Sequence, residues 1–167
     1  WLRKNSLLKN IERRIKLQMR KEKIAATKLI KQFHTNCPFQ IAREMGVVIL
    51  YGKFQNTLGY FSNYKRIKFI HINQDLTELQ QRFVCAHELG HSVLHPEVNT
   101  PFLKKNTLFS ISRIEREANE FAVELLIPDA LLREHKDVSL SQIAATRGVP
   151  IGLIDLKHMV KTSGTNY

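Results

Sequence analysis

The chain has little cysteine and no long apolar run, and each absence excludes a class of protein. Only two of its 167 residues are cysteine, Cys37 and Cys85, which is too few for a disulfide-stabilised secreted scaffold. No apolar run approaches the roughly 20 residues that span a bilayer, and the N-terminal stretch lacks the apolar segment of a secretory signal. We therefore expect reduced cysteines, no membrane association and a cytoplasmic location.

Positive charge, by contrast, is abundant and is concentrated near the N-terminus. The formal net charge is +11, and residues 1–36 hold eleven Lys and Arg residues against two Glu. We interpret residues 1–23 as a basic helical arm or linker, either solvated or binding nucleic acid or a partner protein. Residues 24–167 are expected to form one folded domain, since 43% of the residues are apolar and 25% are charged, as in ordinary globular proteins.

Apolar periodicity predicts an α+β fold that is mainly helical, with a small three-stranded sheet next to a central helix. The capping-box sequence Thr77–Gln80 predicts the start of that helix, which should run to Leu94, and a later helix should span Ile114–Ile127. Asn63–Arg66 predicts a four-residue hairpin connection. Further helices are predicted at Leu7–Phe33, Pro38–Met45, near Leu131 and after Ser139, and strands at Val47–Tyr51, Leu58–Ser62 and Ile67–Asn73.

The central helix contains the sequence His87-Glu88-Leu89-Gly90-His91. With about 3.6 residues per turn, positions four apart point within about 40° of each other, so both imidazoles can reach one metal ion. Glu88 lies beside that face, where its carboxylate can act as general base. We therefore predict a Zn²⁺ site, with Mn²⁺ as the alternative, in which His87 and His91 are ligands. Two histidines that are merely exposed or packed on a helix are the competing interpretation, which the helical context disfavours.

A catalytic zinc takes three protein ligands, so a third must come from elsewhere in the chain. Glu115 is the best candidate, because it opens the next predicted helix and is followed four residues later by Asn119, whose amide can orient the carboxylate. Two alternatives stay open: Glu117 is the third ligand, or this helix supplies no ligand. The second is possible because Glu115 also has capping-box spacing with Ser112, which would give its carboxylate a purely structural role. His95 continues the histidine series, but three successive turns of a straight helix cannot all reach one small ion.

Together these residues resemble the ImmA/IrrE family of metallopeptidases, a gluzincin-like group related in design to thermolysin. The resemblance extends over Ile24–Lys157 and rests on Cys37–Ala42, Ile70–Asn73, His87–His91 and Glu115–Pro128. It implies a gluzincin-like fold for the metallopeptidase domain 24–167, with Glu115 rather than Glu117 as the third ligand. It also implies an anti-repressor: an endopeptidase that cleaves a helix-turn-helix transcriptional repressor and thereby derepresses genes of a mobile element or a stress response.

Residues 138–160 have the spacing of a helix-turn-helix. The second helix of such a unit would be Pro150–Lys157, which carries almost no Arg, Asn or Gln to read base edges. Packing or substrate docking is therefore the favoured interpretation of this region. Two other functions stay open: a non-catalytic zinc-containing regulator that binds DNA or protein, and a toxin-like protease paired with an antitoxin.

The predicted reaction is hydrolysis of a peptide bond, in which Glu88 takes a proton from the attacking water and passes it to the leaving amine. An extended substrate is expected to add to the edge of a strand formed by Ile70, His71, Ile72 and Asn73. The donor that stabilises the oxyanion is open among Tyr51, Tyr60, Tyr64 and His95.

Overall fold

The helices and strands of the computed structural model follow the apolar periodicity of the sequence. The structure describes residues 20–97, 103–104 and 112–158. Its elements are α1 (Lys21–Phe33), α2 (Pro38–Glu44), β1 (Val48–Gly52), β2 (Thr57–Tyr64), β3 (Ile67–Asn73), α3 (Glu78–Leu94), β4 (Leu103–Lys104), α4 (Arg113–Leu126), α5 (Asp129–Glu134), α6 (Leu140–Arg147) and a 3-10 helix (Ile151–Leu156). The predicted α+β class, mainly helical with a small sheet, is confirmed. No described helix has both the length and the apolar content needed to cross a membrane.

The sheet contains the three predicted strands and one short addition. Its order is β1-β3-β2-β4, with β1 parallel to β3 and the two other pairs antiparallel. The additional strand, β4, is only two residues long and pairs with the start of β2. Apolar alternation can be recognised only over a longer segment than two residues, so no sequence pattern predicted this strand.

The hairpin between β2 and β3 is tighter than predicted. Lys65 and Arg66 alone connect the strands, and their φ angles are 48° and 68°. The predicted four-residue connection is wrong, because Asn63 and Tyr64 still belong to the β2–β3 ladder. Two-residue hairpin turns with positive φ usually carry Asn-Gly or Asp-Gly, so this Lys-Arg pair gave no turn signal.

The predicted role of β3 as a substrate-binding edge strand is wrong, because β3 is an internal strand. Ile70, for example, is paired with Ile49 of β1 on one side and with Phe61 of β2 on the other. A strand whose backbone groups are paired on both sides has no free edge to which a peptide could add. The residues concerned, Ile70, His71, Ile72 and Asn73, therefore hold the sheet together instead of presenting an edge to substrate.

The central helix of the fold is α3, which packs against the sheet on one side and against α4 on the other. It starts as predicted: Thr77 Oγ1 accepts a hydrogen bond from the Gln80 N–H, and the Gln80 side chain accepts one from the Thr77 N–H. Every residue from Phe83 to Ser92 is buried, because both sides of the helix are covered. Polar side chains in this stretch must therefore find partners inside the protein.

The helix α1 packs on α4 and begins at Lys21. Lys23 in its first turn is buried, and its ammonium lies 2.8 Å from the Asp129 carboxylate. Lys157 joins the same cluster, with its Nζ 2.7 Å from Asp129 and 2.5 Å from Glu124. Residues 21–23, which the sequence analysis placed in the basic arm, therefore pack on the domain. Residues 1–19 of the predicted arm lie outside the described residues.

The helix-turn-helix-like region consists of α6, a turn and the 3-10 helix. A capping box of Ser139 and Gln142 opens α6, as predicted, and Gly148 ends it with a φ of 76°. The second element differs from a recognition helix, since it is a six-residue 3-10 helix that buries Leu153. This geometry supports packing, rather than reading of a DNA groove, as the role of the described part of the region.

Candidate metal centre

Three buried side chains converge between α3 and α4. His87 and His91 lie one turn apart on α3, and Glu115 lies in the first turn of α4. His87 Nε2 is 3.0 Å from His91 Nε2, and the Glu115 carboxylate is 3.3 Å from the first nitrogen and 3.4 Å from the second. One donor atom of each residue thus lies within 4.8 Å of the other two. Within the described ranges, no other three His, Cys, Asp or Glu residues converge in this way.

Glu115 is an ionised carboxylate at this point. It is only 6% exposed. Burial raises its pKa, but the adjacent His87 and His91 side chains outweigh burial and lower the pKa to about 2. Ser112 is the N-cap of α4, yet its side chain makes no capping hydrogen bond, so the capping-box interpretation of Glu115 is wrong. The carboxylate faces the two imidazoles instead.

The amide of Asn119 determines which ring nitrogen of His87 faces His91 and Glu115. Its Oδ1 lies 2.8 Å from His87 Nδ1. An amide oxygen only accepts hydrogen bonds, so Nδ1 is the donor and Nε2 of the neutral ring keeps its lone pair. Metal ligation through Nε2 requires that tautomer. We expected Asn119 to orient the Glu115 carboxylate; the contact that the structure shows orients the histidine.

The two histidines occupy different electrostatic surroundings. Burial lowers the pKa of His87, but Glu115, Glu88 and Asn119 together outweigh burial and raise it overall. For His91 burial dominates, so its pKa is lowered despite the nearby Glu115. A neutral imidazole is the form that donates a lone pair to a metal ion, and His91 is held in that form.

The close approach of α3 and α4 depends on Gly90. A methyl group at this position would lie 3.0 Å from Phe121 Cδ1 and 3.3 Å from the Cα and O atoms of Ala118. Small residues on both helices therefore allow the backbones to approach and bring Glu115, one turn before Ala118, to the histidines. No role was predicted for Gly90 from the sequence, although a glycine inside a helical pattern is itself a signal of close packing.

Glu88 lies on the sheet side of the cluster and is 1% exposed. Its Cγ is 3.8 Å from the position that a β-carbon on Gly59 would occupy. That β-carbon would overlap Val84 Cγ1 and lie 2.6 Å from the His71 carbonyl oxygen, so only glycine lets β2 cross α3 here. Gly59 is a second positioning residue that sequence reasoning missed, and its signal was a glycine inside a predicted strand.

The rival ligand, Glu117, is engaged elsewhere. Its carboxylate lies 2.6 Å from Lys21 Nζ and 2.8 Å from Arg113 Nε. His95 Nε2 lies 3.3 Å from the same carboxylate. Glu117 therefore belongs to an ion-pair group with Lys21 and Arg113, and both Glu117 and His95 lie outside the cluster. For His95 this agrees with the expectation that a third histidine of a straight helix would not reach the same ion.

Two of the tyrosines considered as oxyanion donors lie on the far side of the sheet. Tyr60 is paired with His71 in the ladder, and their rings stack with centroids 4.0 Å apart. Tyr64 follows on the same face of β2. The fully buried Ile70 and Ile72 alternate with His71 and face α3. The sheet therefore separates Tyr60, Tyr64 and His71 from the metal centre.

Comparison with known proteins gives concordant matches. A family model described as the IrrE N-terminal-like domain matches residues 42–157. "Uncharacterized immunity region protein 2" of Bacillus phage phi105 is 43% identical over 140 residues, which cover 82% of this chain and 89% of that protein. "Metallopeptidase ImmA" of Bacillus subtilis (strain 168) is 33% identical over 135 residues, which cover 77% of this chain and 79% of that protein. The family match spans the whole cluster and Glu88.

Proposed function

The chain belongs to the ImmA/IrrE family of metallopeptidases, and from this membership and the geometry of the centre we propose that it is a zinc-dependent endopeptidase. The observation that carries the proposal is the convergence of His87, His91 and Glu115 beside the buried Glu88. Two nitrogens and one carboxylate form the donor set of catalytic zinc sites that leave a fourth position open.

The residues of the centre fit a metal ion. His87 Nε2 and His91 Nε2 are 3.0 Å apart, and the nearest Glu115 oxygens are Oε2, 3.3 Å from the first nitrogen, and Oε1, 3.4 Å from the second. Tetrahedral ligands at about 2.1 Å from zinc are separated by about 3.4 Å. Glu115 Oε1 is buried and accepts no hydrogen bond from the described residues. A buried anionic oxygen without a donor is costly, and a cation at this point would stabilise it. Manganese accepts the same donor types and stays the alternative.

The roles of the protein groups follow from their positions. A bound zinc ion would supply Lewis-acid activation of water and of the scissile carbonyl. Glu88 lies beside the cluster on a rigid, buried helix, and it accepts the proton of the attacking water and delivers it to the leaving amine. Asn119 fixes the ring of His87. Removing Glu88 should therefore stop turnover without removing the metal ligands.

For the substrate, we infer a helix-turn-helix transcriptional repressor in the cytoplasm, whose cleavage derepresses genes of a mobile element or a stress response. The support is the family resemblance and the phage relative, which is named for an immunity region. The alternative of a non-catalytic DNA-binding regulator has less support, because the would-be recognition helix is a short 3-10 helix.

A cleavage assay tests the function. The zinc-loaded chain is incubated with purified helix-turn-helix repressors, and the product masses are measured. We expect one discrete cut by the wild type and a rate lower by at least about 100-fold for Glu88→Gln, since the general base is lost. Glu117→Gln is the matched control on the neighbouring helix and should cleave like the wild type. Cleavage by Glu88→Gln at the wild-type rate would contradict the assigned mechanism.

A further inference from the structure

The face of the sheet that points away from α3 carries several apolar side chains on three neighbouring strands. Ile70 and Ile72 of β3 are fully buried on the α3 side, so the alternating Phe69 and His71 lie on the other side. Ladder partners share a face, which places residues of β1 and β2 beside them. Ser62 and His71 lie on this face as well and contact each other. The remaining residues of the outer sheet face are Val48, Leu50, Tyr60, Tyr64, Ile67 and Phe69.

The apolar side chains of the outer sheet face are exposed to solvent. Val48 is 39% exposed, Leu50 42%, Ile67 48% and Tyr64 64%. The first three are aliphatic, and they lie on neighbouring paired strands instead of being scattered over the surface. No described helix packs on this face, because the sheet contacts α2 and α3 from its other side. Contiguous exposed apolar groups of this kind mark interaction surfaces.

The charges carried by β1, β2, β3 and the segments that connect them have a single sign. Residues 46–74, which include β1, β2 and β3, contain four Lys and Arg residues and no Asp or Glu. Lys65 and Arg66 are exposed at the hairpin, and Lys53 is exposed after β1, at the opposite end of the strands. Lys68 turns to the other side, where it donates to the Ser92 carbonyl. Asp75 lies near Lys53, so the hairpin end is the more cationic of the two. Apolar residues next to these cations favour an occupant that carries negative charge.

This charge pattern disfavours the other parts of the same chain as occupants. Residues 1–19 hold six Lys and Arg against one Glu, residues 98–111 hold two Lys, and residues 159–167 hold one Lys, with no Asp or Glu in the last two segments. A second copy of the chain would bring the same cations against the same rim. Like charges would therefore oppose each of these contacts.

Single-stranded nucleic acid is the other polyanion to consider, and the side chains favour protein. Bases stack on free aromatic rings. The Tyr60 ring is already stacked on His71, with an interplanar angle of 10°. Tyr64 is the most exposed residue of the face, but its ring already has Lys65 Nζ over it, 5.2 Å from the ring centroid. The next most exposed residues are Val48, Leu50 and Ile67, which offer apolar contact and no stacking. We propose that the outer sheet face docks a partner protein through an apolar segment flanked by Asp and Glu. Since α3 and the sheet separate this face from the metal centre, docking leaves the centre free.

Fluorescence anisotropy of labelled peptides tests this proposal. Two synthetic amphipathic peptides share one Leu/Phe pattern and carry either Glu or Lys at the flanking positions. We expect the Glu peptide to bind the full chain and the Lys peptide to bind at least about tenfold more weakly, because the rim is cationic. Leu50→Ser should weaken binding of the Glu peptide by about tenfold, since it removes an exposed apolar contact from the face.

Matched variants control for general effects. Leu79→Ser alters a leucine of equal exposure, 42%, on α3, and should leave binding unchanged. Lys53→Glu should weaken binding of the Glu peptide. Lys136→Glu, at an exposed lysine beyond α5, should leave that binding unchanged. Unchanged melting temperatures establish that the variants stay folded.

Four results would overturn the proposal. They are absent binding of the Glu peptide, equal binding of both peptides, tighter binding of a single-stranded oligodeoxythymidine, or a dimer in sedimentation that Leu50→Ser dissociates. The last two would identify nucleic acid or a second copy as the occupant. None of these measurements depends on catalysis.

Discussion

The hydrogen bond between Asn119 and His87 determines which ring nitrogen of the histidine faces the metal centre. The amide oxygen lies 2.8 Å from Nδ1, so the lone pair stays on Nε2. Partners of this kind typically change metal affinity by about 10–100-fold. At the residue scale, the roles assigned to His87, His91 and Glu115 therefore depend on a fourth side chain that contributes no ligand atom.

For Asn119→Ala we expect zinc affinity to fall by about 10–100-fold, because the His87 ring loses the acceptor that orients it. Competition with a chromophoric chelator measures the change. Asn119→Asp keeps an acceptor at the same place and should bind zinc more tightly than Asn119→Ala. Wild-type affinity in Asn119→Ala would show that the ring is held by packing alone.

The sequence alone predicted the roles of the two histidines better than those of the two glutamates. The spacing of His87 and His91 is a local helical property, so their shared direction could be predicted before any tertiary contact was known. Glu115 and Glu117 could not be separated by spacing, because the choice depends on which face of α4 meets α3. The ion pair of Glu117 with Lys21 involves a helix almost a hundred residues earlier in the chain, and no local pattern encodes it.

At the scale of elements, the approach of α4 to α3 at Gly90 brings Glu115 to the histidines. For Gly90→Ala we expect a loss of about 1–3 kcal/mol in the free energy of unfolding, because the added methyl would lie 3.0 Å from Phe121 Cδ1 and 3.3 Å from the Ala118 backbone, closer than ordinary contact. Zinc affinity should fall as well, since the helices must separate. Chemical denaturation and zinc titration of the same sample measure both effects. Unchanged values would show that the helices adjust without moving Glu115.

Helix boundaries were predictable where capping residues are local, and strand order was not. Thr77 with Gln80 and Ser139 with Gln142 form the capping boxes that the sequence predicted. The internal position of β3 was missed, because strand order depends on which strands meet in three dimensions and not on their own alternation. The outer sheet face was missed for the same reason, since its residues become neighbours only through pairing.

At the scale of the whole molecule, a buried ion cluster joins the first and last described elements. Lys23 of α1 and Lys157 after the 3-10 helix share the carboxylates of Asp129 and Glu124. Burial raises the pKa of Asp129, but its hydrogen bonds to Lys157 and Lys23 outweigh burial and lower it below the ordinary value of 3.8. The folded state thus binds this proton more weakly than the unfolded state, so the stabilisation is present above pH 3.8 and is lost as the pH falls through the lowered pKa.

For Asp129→Asn we expect a loss of about 2 kcal/mol in the free energy of unfolding at neutral pH, because two buried ammonium groups keep only one carboxylate. The difference from the wild type should shrink as the pH falls below 3.8. Urea denaturation at several pH values measures it. Asp155→Asn, at an exposed position in the 3-10 helix, is the control and should match the wild type. A difference that does not depend on pH would assign the effect to packing.

The metal centre itself is tested most directly by native mass spectrometry of the wild type, Glu115→Gln and Glu117→Gln, each purified without added metal. We predict one zinc ion per wild-type chain, retention of zinc by Glu117→Gln, and loss or strong weakening in Glu115→Gln, because only the latter removes a donor atom from the cluster. Retention of zinc by Glu115→Gln together with its loss from Glu117→Gln, or a wild type that binds no zinc even when zinc is supplied, would contradict the assignment of His87, His91 and Glu115 as the metal ligands.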